Sequence, residues 1–188
     1  MELIVGLGNP GEQYAATWHN AGWMALDSLA AKHGLGAFSS HKKSQSLVSK
    51  NQLAGQDIIL AKPQTFMNKS GQAVAALVQF FKVNPEQVWL VHDEIDLPLG
   101  TLRIARGGSD AGHKGVKSVI ASLGTKDIVR FRIGVQTPSR VQMPTDAYVL
   151  KTIDPEYQNA LDEAILRTAT AIEIAIIEGV EKAMNQFN

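Results

Sequence analysis

Leu3-Ile4-Val5-Gly6-Leu7-Gly8-Asn9-Pro10-Gly11, continuing through Tyr14 to Thr17-Trp18-His19-Asn20, is the stretch around which the fold is organised. An apolar run ending in a glycine-rich turn describes a buried strand that meets a polar, flexible loop, and open α/β sheets build their sites at such carboxyl ends. The glycines match G-x-G-x-x-G. The dinucleotide fingerprint also needs a helix opening inside the motif and an acid at the end of the next strand. Pro10 removes an amide where a pyrophosphate would need one, and Asp27 falls in a helical pattern rather than at a strand end. A dinucleotide is disfavoured, and no cofactor is expected.

Outward from this stretch, strands alternate with helices. Ala21, Met24, Ala25, Leu26, Leu29 and Ala30 recur at helical spacing before Gly34 and Gly36. Leu47-Val48 and Ile58-Ile59-Leu60-Ala61 flank a turn at Ala54-Gly55-Gln56-Asp57. A helix is expected over Ser70–Phe81, a doubly covered strand over Val88-Trp89-Leu90-Val91, and a half-wet strand around Leu102 and Ile104. A further helix is expected from His113 to Leu123, and Val129 to Val135 alternate strictly, placing Arg130 and Arg132 on one face. After a loop over 136–146, Asp154 and Pro155 suit an N-cap and first helical residue. A long terminal helix follows, bent near Gly179. The expectation is one α/β domain over 1–188, with a twisted, mixed and mostly parallel sheet flanked by helices on both faces.

At 188 residues the chain can bury a core without staples. It has no cysteine, which excludes disulfides, thiolate metal sites and a cysteine nucleophile. With no basic leader or membrane-length apolar run, it is expected to be a soluble cytoplasmic protein with no membrane contact. The formal net charge is zero, but residues 101–140 carry eight Lys/Arg against Asp110 and Asp127. That asymmetry suits a face meeting a polyanion, although an ordinary solvated surface explains it equally well.

His19 opens a helix just after a strand-end loop, where an imidazole faces a cleft and suits a general base near neutral pH. A lone histidine is also commonly structural. Asp93, at the end of another buried strand, supplies a partner that would fix the tautomer and stabilise the imidazolium. No serine stands out as a nucleophile, which leaves water as the attacker. His92, Asp93, Glu94 and Asp96 with His113 match no closed zinc spacing, and strand neighbours point to opposite faces, so no metal is expected. Core packing accounts for Phe66 and Met67 as readily as binding does, and helix capping for Asn68. Gly112-His113-Lys114-Gly115 offers a carbonyl or anion site at a helix N-terminus, or simply a cap.

Together these blocks resemble the bacterial peptidyl-tRNA hydrolase family. They are Val5 to Gly11, Tyr14, Thr17-x-His19-Asn20, Phe66-Met67-Asn68-x-Ser70-Gly71, His92-Asp93-Glu94-x-Asp96-Leu97, Gly112-His113-x-Gly115-x-Lys117-Ser118 and Arg130-x-Arg132-Ile133-Gly134. Pro144, Asp146-x-x-Val149-Leu150 and the terminal helix also fit. The resemblance implies a monomer that hydrolyses the ester joining peptide to tRNA, without metal or cofactor. It implies His19 as base and Asp93 as its orienting partner. Asn9 would check that the amino group is acylated, and Tyr14, Phe66 and Asn68 would hold the terminal nucleotide and nearby peptide. The His113 loop would contact the peptide, and Arg103, Arg106, Arg130 and Arg132 would grip tRNA phosphates. Two positions depart from the family pattern: Lys114 replaces an asparagine and Trp18 an arginine. The runner-up function is an RNA-binding module on the same fold, similar to plant-organelle splicing factors.

Overall fold

The computed structural model describes residues 1–138, 140 and 143–188. Three residues of the expected 136–146 loop (139, 141 and 142) lie outside them. The chain forms β1 (Glu2–Gly6), α1 (Ala21–Lys32), β2 (Ser39–His41), β3 (Ser46–Leu53), β4 (Gln56–Pro63) and α2 (Ser70–Phe81). It continues with β5 (Val88–Pro98), β6 (Leu102–Arg106), α3 (Lys114–Leu123), β7 (Val129–Gln136), α4 (Thr145–Val149), α5 (Pro155–Glu178) and α6 (Val180–Phe187). The seven strands form one sheet in the order β2-β3-β4-β1-β5-β7-β6. Its centre, β4-β1-β5-β7, is parallel, and β2, β3 and β6 add antiparallel edges, as the alternation of strands and helices predicts.

Period-2 geometry divides the core between two helical layers. Leu3 and Val5 of β1, with Val88 and Leu90 of β5, pack with Val74 and Leu77 of α2 and Val116 and Val119 of α3. Ile4, Trp89 and Val91 face the other way, toward Leu26 and Leu29 of α1 and Leu161 and Ile172 of α5. Each layer removes its apolar face from water, the main favourable contribution to folding. The opening glycines belong to this packing. A Cβ on Gly22 would collide with the Val91 carbonyl and the Leu7 backbone, and one on Gly6 with the Gly22 carbonyl, so α1 crosses β1 in close backbone contact.

The structure adds local details to these expectations. β5 does not stop at Val91 but runs to Pro98, because its pairing with β7 continues through His92, Asp93 and Glu94 after β1 has ended opposite Val91. Three-residue β2 carries no apolar alternation to announce it. The 136–146 loop ends in α4, whose Tyr148 hydroxyl donates to the Val135 carbonyl at 2.6 Å. Asp154 occupies the N-cap position of α5, but its carboxylate accepts from Lys151 rather than from the helix amides. At Gly179, with φ +96°, the terminal helix breaks into α5 and α6. No helix among the described residues is long and apolar enough to cross a membrane.

Candidate active site

The carboxyl ends of β1, β4 and β5 meet in one cleft. The loop after β1 tightens into a single helical turn, Trp18–Asn20, that runs directly into α1. Trp18 points away from the cleft and stacks on Tyr148, with centroids 6.0 Å apart. The charge lost by having no arginine there is thus replaced by core packing, which anchors α4 beside the next residue, His19.

His19 Nδ1 lies 2.9 Å from both carboxylate oxygens of Asp93. Since a carboxylate only accepts, the proton sits on Nδ1 and the Nε2 lone pair is left for the cleft. Asp93 lies where β5 outruns β1. Its Oδ1 also accepts from His113 Nε2 at 3.0 Å. The His113 tautomer is fixed independently, because its Nδ1 accepts the Gly115 and Val116 amides at 3.1 and 3.3 Å and so caps α3. Burial works against a charged carboxylate, but the charges of His19 and His113 and their hydrogen bonds hold Asp93 far below the usual carboxylate range. For His19, burial disfavours the imidazolium. Asp93, by charge and hydrogen bond, and then Asp146 outweigh both burial and Lys114, so the pKa rises above 6.5.

His19, Asp93 and His113 offer ligand atoms within 4.8 Å of one another, the only such group of three among the described residues. The same atoms are already joined by the hydrogen bonds above, so the cluster needs no ion to hold it together. His92 is buried with its ring 4.7 Å from that of His113, and its Nδ1 donates to the Asp93 carbonyl at 2.6 Å. It backs the group and does not face the cleft.

His19 sits between two chambers. One, of about 260 Å³, is lined by Glu94, Asp96, His113, Arg140 and Val149, among others. The second, of about 280 Å³, is lined by Asn9, Tyr14, Phe66, Met67, Asn68 and Leu150. Lys114 and Asp146 border both and form a 2.6 Å ion pair between α3 and α4. Asn9 is held rigidly: Asn20 accepts its amide at 2.8 Å and donates to its carbonyl at 3.1 Å, while Asn9 Oδ1 accepts the Met67 amide at 2.8 Å. Asn9 lines the second chamber, and with Oδ1 occupied its NH₂ is the side-chain group left to donate there. Met67 is core, as the packing reading has it, but Phe66 is 56% exposed. Asn68 makes no cap, since Lys69 holds the N-cap position of α2.

The four arginines do not share one surface. Arg103 is the cross-strand partner of Arg132, which neighbours His92 in turn, giving a row across β6, β7 and β5. Arg132 is half-buried and pairs with Glu94 at 3.0 Å. Arg130, expected to grip tRNA phosphates, is buried and donates to the carbonyls of Gly107 and Ser109. Arg106 lies on the opposite face of β6, beside Asp127. Composition cannot register this, because strand parity decides the face. Sequence reasoning also assigns no role to Asn20 or Asp146, although the place of Asn20 in the Thr17-x-His19-Asn20 block, next to His19, was a signal for the former.

The chain is similar to known proteins along its whole length. A family model described as peptidyl-tRNA hydrolase matches residues 3–188. A peptidyl-tRNA hydrolase of Rhodococcus opacus (strain B4) is 45% identical over 186 residues, covering 99% of this chain and 97% of that protein. One of Chloroflexus aggregans (strain MD-66 / DSM 9485) is 43% identical over 189 residues, covering 100% and 99%. The crystal structure of peptidyl-tRNA hydrolase from Acinetobacter baumannii superposes with a TM-score of 0.90 at 34% identity, covering 100% of this chain and 94% of the other. Matched in sequence from end to end and in fold, the chain belongs to the peptidyl-tRNA hydrolase family.

Proposed function

We propose that the chain hydrolyses the ester between the peptide and the 3′ ribose of tRNA in peptidyl-tRNA, with His19 as general base for water. The observation that carries this reading is the fixed tautomer of His19: Asp93 accepts a hydrogen bond from the Nδ1 proton and leaves Nε2 open to a cleft. Nε2 removes a proton from water as its oxygen attacks the ester carbonyl, and Asp93 stabilises the imidazolium that forms. The tetrahedral intermediate then collapses with cleavage of the bond to the ribose oxygen. That oxygen takes the proton back from Nε2, releasing tRNA and a peptide acid.

Asn9 is assigned to the check on acylation, and its orientation supports a defined form of that check. An NH₂ group can donate to the carbonyl of an acylated amino group but repels the ammonium of a free one. Tyr14, Phe66 and Asn68 form the chamber for the terminal nucleotide, where the exposed Phe66 ring suits base stacking. His113 has both ring nitrogens engaged, so its role is to position Asp93, and contact with the peptide falls to Lys114 and the loop before it. Of the arginines, Arg103 and Arg132 remain for tRNA phosphates. A monomer is the working unit that the family resemblance implies, and the tRNA substrate supports a cytoplasmic site of action.

An open, oriented base also argues against a purely RNA-binding module. The test is to incubate the protein with N-acetylated and with free aminoacyl-tRNA and follow ester cleavage. We expect turnover of the acylated form alone, abolished in His19→Ala with RNA binding intact. Failure to cleave the acylated form would favour the RNA-binding module.

A further inference from the structure

At the sheet edge away from the arginine row lies a second groove of about 390 Å³, between β2, β3 and the end of α2. One wall is aromatic: Phe80 meets His41 edge-on at 4.5 Å and Phe81 at 4.9 Å. The other is small and hydroxylic, with Gly36, Ser39, Ser40 and Ser49. Phe80, in the last turn of α2, is 50% exposed, a large apolar ring left open to solvent. Lys43 Nζ stands 5.8 Å from the Phe80 centroid and Lys50 Nζ 5.2 Å from that of Phe81. Exposed Lys42 and Lys82 adjoin these residues in sequence, and no groove-lining residue is acidic.

We infer that this groove binds unpaired RNA, with a base stacked on Phe80 and the flanking phosphates met by Lys43 and Lys50. A flat exposed aromatic ring beside flexible cations is the arrangement that holds single strands without reading sequence. Double-stranded RNA keeps its bases stacked on each other and could use only the lysines. Six strand spacings of about 4.8 Å separate β2 from β6, roughly 29 Å, so the groove is a contact distinct from Arg103 and Arg132. The inference rests on the reading of this chain as acting on tRNA, whose loops and 3′ end supply unpaired nucleotides.

The experiment measures binding of a dye-labelled decauridylate by fluorescence anisotropy at low salt, together with hydrolysis of N-acetyl-aminoacyl-tRNA. We expect Phe80→Ala to weaken binding about 5- to 100-fold, the loss of one base–aromatic stack. Phe80→Trp should retain binding, and Lys43→Ala/Lys50→Ala should weaken it and flatten its salt dependence. Phe80→Ala should still cleave a minimal N-acetyl-aminoacyl ester of a CCA trinucleotide at the parental rate. Unchanged decauridylate binding in Phe80→Ala, equal Phe80-dependence with duplex RNA, or full competition by oligoglutamate would each overturn the inference. Hydrolysis without Phe80-dependent binding sinks this groove alone, whereas Phe80-dependent binding without hydrolysis sinks the enzymatic reading alone.

Discussion

Replacing Asp93 by asparagine tests the centre of the mechanism, because the shape is kept while the charge is removed. His19 Nδ1 lies 2.9 Å from both carboxylate oxygens, and both side chains are buried. Taking the imidazolium and carboxylate as charges about 4 Å apart at an effective dielectric constant near 20, their attraction is about 4 kcal/mol. That attraction is gained only as the imidazolium forms, so its loss should lower kcat about 10³-fold. An amide that turns its NH₂ toward Nδ1 also favours the wrong tautomer, extending the loss toward about 10⁴. The pH profile carries a second, independent sign. In the parent the base is active when neutral and its pKa is raised, so the acid limb of kcat/KM lies above pH 6.5. In Asp93→Asn the two leading causes that raise it are gone and burial, which lowers it, remains. The acid limb should therefore move below pH 6.5 even as the rate collapses. The assay is ester cleavage of N-acetyl-aminoacyl-tRNA from pH 5 to 9, with circular dichroism as a folding control. A folded variant that retains near-parental kcat, or whose limb moves to higher pH, would refute the assignment.

Three further outcomes are expected. Lys114→Asn should shift the acid limb of kcat/KM upward and Asp146→Asn downward, because the two charges act on His19 with opposite sign; pH profiles check this. Melting temperatures should hardly change in either, since the pair is exposed and such pairs contribute about 1 kcal/mol or less. Gly22→Ala should cost about 1–3 kcal/mol or more in urea unfolding, because its methyl group meets backbone atoms of Leu7, just after β1, and of Val91 in β5 that cannot swing aside. Arg103→Ala and Arg132→Ala should each reduce the slope of log affinity for tRNA against log salt by nearly one; Arg106→Ala, on the opposite face, should leave the slope unchanged.

Asp93 and His113 show where the arrangement depends on residues far apart in the chain. Their side chains meet because β5 keeps pairing with β7 after β1 has ended, and because α3 begins with a histidine whose Nδ1 caps it. Neither fact has a local signature, since a strand's length depends on its neighbours and a cap looks the same whether or not its other nitrogen has a partner. Phe66 and Asn68 were open between packing and binding for the same reason: burial is a property of the assembled molecule.

Sequence alone determined the alternation of strands and helices, the helix over Ser70–Phe81, an irregularity near Gly179 and the family, since periodicity, turn residues and ordered motif blocks are local or linear properties. It also pointed to His19, opening a helix after a strand-end loop, and to Asp93, ending an apolar run. Tertiary structure alone decided the His113 tautomer, the direction in which Asn9 donates, and the partition of the arginines. Each of these is fixed by hydrogen bonds or strand parity between residues distant in the chain, and only the folded sheet brings them into contact.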